Sequence, residues 1–131
     1  MPQYPLRKRA SAEFVGTAFL VAAVVGSGIM AERLAGGNIA LALIANTVAT
    51  GAILVALILA FGSISGAHFN PAVTLADALE HGIRWREVPA YIGAQICGGF
   101  TGAAVAHLMA WNSNCEKYQT KPNNRGGSRS F

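Results

Sequence analysis

In the stretch SISGAHFNPAVTLADAL, residues 63–79, a glycine, a histidine, an asparagine and a proline crowd together between long apolar runs. Gly66 and Ala67 carry almost no side chain, so backbone there can approach a passing molecule closely and turn carbonyls toward it. Asn70 is a favoured N-cap, whose side-chain oxygen can hold an N–H of a first helical turn. Pro71 at the first helical position costs nothing, because its missing N–H would be orphaned there. With Ala72 and the apolar residues after it, the pattern predicts a helix over about 70–80, roughly 15 Å long and half a bilayer deep. Its N-terminus would carry about half a positive charge, and the Asn70 amide adds donors at the same spot. Such a place favours the oxygen of a neutral molecule and opposes a cation or proton. His68 reads as a structural hydrogen-bonder, with no second metal ligand near it in sequence. Asp77 and Glu80 read as the cytoplasmic end of the short helix.

Three apolar runs must position this stretch, at 12–31, 39–61 and 88–111. Each reaches about 20 residues or more, enough to cross a hydrocarbon core of about 30 Å. Composition agrees: of 131 residues, room for one domain, 53% are hydrophobic and only 12% charged, and the fifteen glycines suit closely packed membrane helices. The spacings Gly62/Gly66 and Gly98/Gly102 suit helix crossings. Arg7, Lys8 and Arg9 favour a cytoplasmic N-terminus for residues 1–11, and Arg84 and Arg86 in the loop before the third run fit the same orientation. Residues 112–131 break the rule, being basic on the outer side. They are polar, rich in Asn, Gly and Ser, and read as a disordered tail foreign to what precedes it.

Two readings of residues 63–79 stay open on spacing alone. One is an interfacial helix or a plain loop capped by Asn-Pro. The other is a re-entrant segment, with 63–69 dipping into the membrane as extended backbone and the half-helix returning to the cytoplasmic side. Non-helical backbone survives at that depth only if buried in protein or lining a water-filled cavity.

The residues resemble one family. SGAHFNPAVTLADAL is similar to the first signature loop of the aquaporin and aquaglyceroporin (major intrinsic protein) family, whose hallmark is Asn-Pro-Ala. AEFVGTAFLV, from Ala12, resembles the family's first span, with Glu13 and Thr17 four residues apart. YIGAQICGGFTGA, from Tyr91, resembles its third span with Gln95. The resemblance covers roughly residues 10–110 and implies an all-α membrane protein of three transmembrane helices and one re-entrant half-helix. It also implies roles: Asn70 as a pore-lining donor at the midplane, Pro71 and Ala72 starting the half-helix, and Gly66, Ala67 and His68 presenting carbonyls to a single file of solute. Glu13 and Gln95 would support the loop, although Glu13 also reads as an interfacial residue just past the basic cluster. The implied partners are the lipid bilayer, water or a small neutral solute, and either the family's tetramer or a complementary half. The implied location is the plasma (inner) membrane.

The chain departs from the family's pattern in two ways. Counted back from Asn70, Thr50 stands where water-selective members carry an aromatic of the outer constriction, which suggests a wider filter passing glycerol or metalloid hydroxides. The family is also an inverted repeat of two three-span halves, and this sequence matches one of them. The expectations are therefore a membrane channel half for passive transport or, alternatively, a truncated, non-conducting fragment of such a channel, left by a frameshift or a truncated gene.

Other function classes find little support. The basic residues have no aromatic interleaving to stack bases, which speaks against nucleic acid. Cys97 and Cys115 lack metal-ligand or redox spacing. No nucleophile with a base, no paired carboxylates and no phosphate loop argues for an enzyme, and no cofactor or metal is expected.

Overall fold

A computed structural model describes residues 4–119, with side-chain surroundings through 112. Its helices are α1 (Leu6–Leu34), α2 (Ile39–Ser65), α3 (Pro71–Leu79) and α4 (Val88–Gln119). No strand occurs among the described residues. Three helices, α1, α2 and α4 through Asn112, are long and apolar enough to cross a membrane. Over the described residues the protein is therefore all-α, with three candidate spans and one short helix.

The punctuation is local. α1 closes at Ala35, and Gly36 and Gly37, both at positive φ, turn the chain. Asn38 then caps α2, its side chain accepting the Leu41 N–H at 3.1 Å. Gly66 ends α2 in the left-handed conformation at φ 93°, with its N–H on the Gly62 carbonyl. The expectation of extended backbone over 63–69 is thus corrected. Ser63, Ile64 and Ser65 are helical, and only 66–70 is not. The break comes at the residue that tolerates positive φ rather than at the first polar one. α1 starts six residues earlier than the apolar run, taking in the basic cluster. α4 continues to Gln119, past Trp111 where a polar tail was expected to begin. Residues 120–131 of that tail lie outside the described residues.

α1 is the central helix, packing on α2 along one side and on α4 along the other, while α3 rests on α4. The α1–α4 crossing is close because Gly98 and Gly102 lie against the backbone carbonyls of Phe14 and Ala18, where a Cβ would collide. The other glycine pair does not pack this way. Gly62 meets only Ile58 of its own helix, and Gly66 is the α2 cap. Outward-facing side chains of the spans are mostly apolar and exposed, such as Phe19, Leu43, Leu59 and Phe100. That is the surface a helix presents to lipid or to other helices.

Candidate functional site: the broken loop and its brace

The path of the chain at the break is re-entrant. α2 ends at Ser65, level with Glu13 on α1 and Tyr91 on α4, to which Ser65 is bonded. The loop then runs deeper, until the Phe69 ring fills the space beside Gly16, where a Cβ would meet it. Gly16 lies roughly 15 Å along α1 from Leu6 at 1.5 Å per residue. From there α3 turns back, and Ala78 joins Ile83, Val88 and Tyr91 in a small buried cluster. The interfacial-helix alternative does not describe this path.

Asn70 makes the turn possible. Its side chain accepts the Ala72 N–H at 2.8 Å, and Pro71 follows as the first helical residue. The helix is Pro71–Leu79, one residue shorter at each end than the sequence suggested. Asn70 and Ala72 are exposed and Pro71 half-buried.

The accounting of backbone groups in the loop is asymmetric. The Gly66 N–H closes α2. The Ala67 N–H goes to Ser65 Oγ at 3.1 Å, the His68 N–H to Glu13 Oε1 at 3.0 Å, and the Phe69 N–H to Glu13 Oε2 at 2.7 Å. No described group donates to the carbonyls of Gly66, Ala67, His68 or Phe69. Ala67 and Phe69 hold left-handed φ values of 52° and 50°. For non-glycine residues that conformation costs about 1–3 kcal/mol each and persists only where the surroundings fix it. Here the surroundings are the Glu13 carboxyl, the Ser65 hydroxyl and the seat of the Phe69 ring beside Gly16.

Glu13 is wholly buried. Besides the two backbone N–H groups it accepts the Ser65 hydroxyl at 2.6 Å on Oε1 and the Gln95 amide at 2.9 Å on Oε2. Four donors converge on a group that can only accept, which uses both lone-pair directions of each oxygen. Gln95 also donates to Thr74 Oγ1 at 2.9 Å, tying α3 to the same centre. Thr74 has one proton to give, with the Asn70 carbonyl at 3.2 Å and His68 Nδ1 at 3.1 Å as acceptors. When it goes to Nδ1, His68 Nε2–H faces Asp77 Oδ2 at 3.5 Å. Asp77 therefore reaches back to the loop rather than merely closing the short helix. A cavity of about 320 Å³ opens here, lined by Tyr4, Arg9, Ser63, Gly66, His68 and Asp77 among others.

The structure thus gathers Gly66, Ala67, His68, Asn70, Pro71, Ala72, Glu13 and Gln95 into one assembly. Thr50 stands apart, half-buried on α2 about four turns before Ser65. Sequence reasoning missed Ser65, Thr74, Tyr91, Arg9 and Glu87. Arg9 donates to the Tyr91 hydroxyl and to Glu87, both at 2.8 Å, and Tyr91 donates to the Ser65 carbonyl at 2.8 Å. A spacing signal was present. Arg9 and Glu13, Glu87, Tyr91 and Gln95, and Asn70 and Thr74 recur every four residues, which puts polar groups on one face of an apolar helix.

Residues 2–129 match the family model described as Major intrinsic protein. The chain is 55% identical to the aquaglyceroporin AqpS of Rhizobium meliloti (strain 1021) over 109 residues, 83% of this chain and 46% of that protein. It is 39% identical over 111 residues to the probable aquaporin NIP7-1 of Arabidopsis thaliana, covering 85% of this chain and 39% of the relative. It is also 39% identical over 105 residues to aquaporin NIP1-1 of Oryza sativa subsp. japonica, covering 80% and 36%. The chain spans about half the length of these relatives, or less.

Proposed function

The chain belongs to the major intrinsic protein family, and we propose that it forms one wall of a membrane channel for water or small neutral solutes. The observation that carries this reading is the asymmetry of the loop. Its N–H groups are consumed by α2, Ser65 and Glu13, while four successive carbonyls have no donor among the described residues. In a membrane, carbonyls in that state need water or a solute hydroxyl. The α3 N-terminus and the Asn70 amide at the end of the row supply donors and a positive dipole end, which favour a neutral oxygen over a cation.

The wall becomes a pore when a second half faces it, as the greater length of the relatives would supply. In the whole channel Glu13 and Gln95 brace the loop, Asn70 lines the midplane, and Thr50 belongs to an outer constriction wide enough for glycerol-sized solutes. The relative named an aquaglyceroporin fits that width. The basic cluster at Arg7, Lys8 and Arg9 puts the N-terminus on the cytoplasmic side.

Osmotic shrinkage of proteoliposomes tests the reading. Vesicles holding this chain together with a complementary second half should shrink faster than empty ones and then re-swell as glycerol enters. Shrinkage no faster than in empty vesicles would refute conduction. Flux that appears only with the second half, and never with this chain alone, would identify the chain as a part that does not conduct by itself.

A further inference from the structure

We propose that the Tyr91 hydroxyl is a positioning group for the pore loop, held in place by Arg9 and Glu87 at the edge of the membrane. Ser65 is the last residue of α2, so its carbonyl is one of the four that a helix end leaves without an internal partner. Tyr91, fully buried on α4, donates to that carbonyl at 2.8 Å. The Ser65 hydroxyl meanwhile bonds Glu13 on α1 and accepts the Ala67 N–H. Ser65 is therefore pinned from both sides, by α1 through Glu13 and by α4 through Tyr91. The backbone leaves it directly into the left-handed residues Gly66 and Ala67, so the direction of their carbonyls follows from where Ser65 sits. The Tyr91 ring also lies 5.4 Å from the His68 ring, behind the same loop.

The phenol is fixed in turn. It accepts from Arg9 Nε at 2.8 Å while Arg9 Nη1 bonds Glu87 Oε2 at 2.8 Å. A guanidinium fork serves both partners at once, which an ammonium cannot do in the same plane. Glu87 lies four residues before Tyr91, at the approach to α4. A contact near the membrane surface thus reaches the loop through one hydroxyl, without touching solute.

The inference rests on reading the loop as a pore wall, but its test needs no solute flux. The full chain is placed in lipid nanodiscs, and amide hydrogen exchange is compared between residues 66–69 and the α1–α4 seam around Gly98. Tyr91→Phe removes only the hydroxyl, and it should speed loop exchange about tenfold while the seam is unchanged, the effect of losing one buried hydrogen bond locally. Arg9→Lys should speed it about threefold, because the charge opposite Glu87 remains and the link to Tyr91 is lost. An infrared band of a carbon-13-labelled Ser65 carbonyl should lie at hydrogen-bonded frequency in the wild-type chain and rise in Tyr91→Phe. Unchanged loop exchange, or equal acceleration of loop and seam, would overturn the proposal. If Tyr91→Phe does not fold, a Ser65 band at the free-carbonyl position in the wild type would overturn it equally. Absent solute flux with these shifts present would sink the conduction reading alone, and unchanged loop exchange in a conducting channel would sink this one alone.

Discussion

The carboxyl of Glu13 on α1 accepts the hydroxyl of Ser65 on α2 at 2.6 Å, across 52 positions of sequence. The same carboxyl takes the backbone N–H groups of His68 and Phe69 and the Gln95 amide. One acidic group inside an apolar bundle therefore organises the non-helical backbone, a use for an ionisable residue in a membrane that offsets the cost of placing it there.

Glu13→Gln should be among the most damaging single changes. It sets an amide donor where N–H groups already point and leaves buried donors without partners, at about 1–3 kcal/mol each. Reversible unfolding in bicelles should show a loss of about 2–4 kcal/mol, well above that of a substitution on the exposed outer face. Stability equal to that of the wild type would contradict the brace.

Asn70→Asp separates capping from selectivity. Aspartate caps a helix as well as asparagine does, so α3 should form and stability should change little. In a complete channel carrying this half, the added negative charge should weaken exclusion of cations, measured as proton and potassium leak from reconstituted vesicles. An unchanged leak would count against placing Asn70 on the conduction path.

Gly98→Ala and Gly99→Ala form a matched pair on one helix. A Cβ at Gly98 collides with the Phe14 carbonyl of α1, whereas one at Gly99 meets nothing within 4 Å. The first should cost about 1–3 kcal/mol by forcing α1 and α4 apart, and the second should be close to neutral. Equal effects in a detergent unfolding titration would mean that the two helices do not cross at this seam.

If Thr50 lies in an outer constriction, as proposed, Thr50→Phe in a complete channel carrying this half should narrow it. Glycerol entry after osmotic shock should fall by about tenfold or more while water flux falls less. A parallel loss of both would assign Thr50 to packing against α1 instead.

The sequence displayed some of this plainly and hid the rest. Asn70 and Pro71 act through their own backbone or the next turn, so both read as punctuation from the sequence. The run of α2 through Ser63–Ser65 was not legible, because a serine at the edge of an apolar run looks like loop until its partner is known. That partner, Glu13, is 52 residues away. Arg9 read only as one of three basic residues setting orientation, and its bonds to Tyr91 and Glu87 span 82 and 78 positions. Of two glycine pairs with identical spacing, only Gly98/Gly102 met another helix, since spacing defines a face but not what lies against it. From the sequence Asp77 reads as the simple end of a helix, yet its carboxyl faces His68.

The central claim is that the end of the broken loop borders a water-filled path. It is tested most directly by Asn70→Cys in a complete channel carrying this half, with Cys97 and Cys115 replaced by serine, treated with a membrane-impermeant thiol reagent. The account predicts that the thiol reacts from the aqueous phase and that solute flux falls in proportion to the fraction modified. A thiol that stays inert in a conducting channel, or one that reacts fully while flux is unchanged, would contradict it.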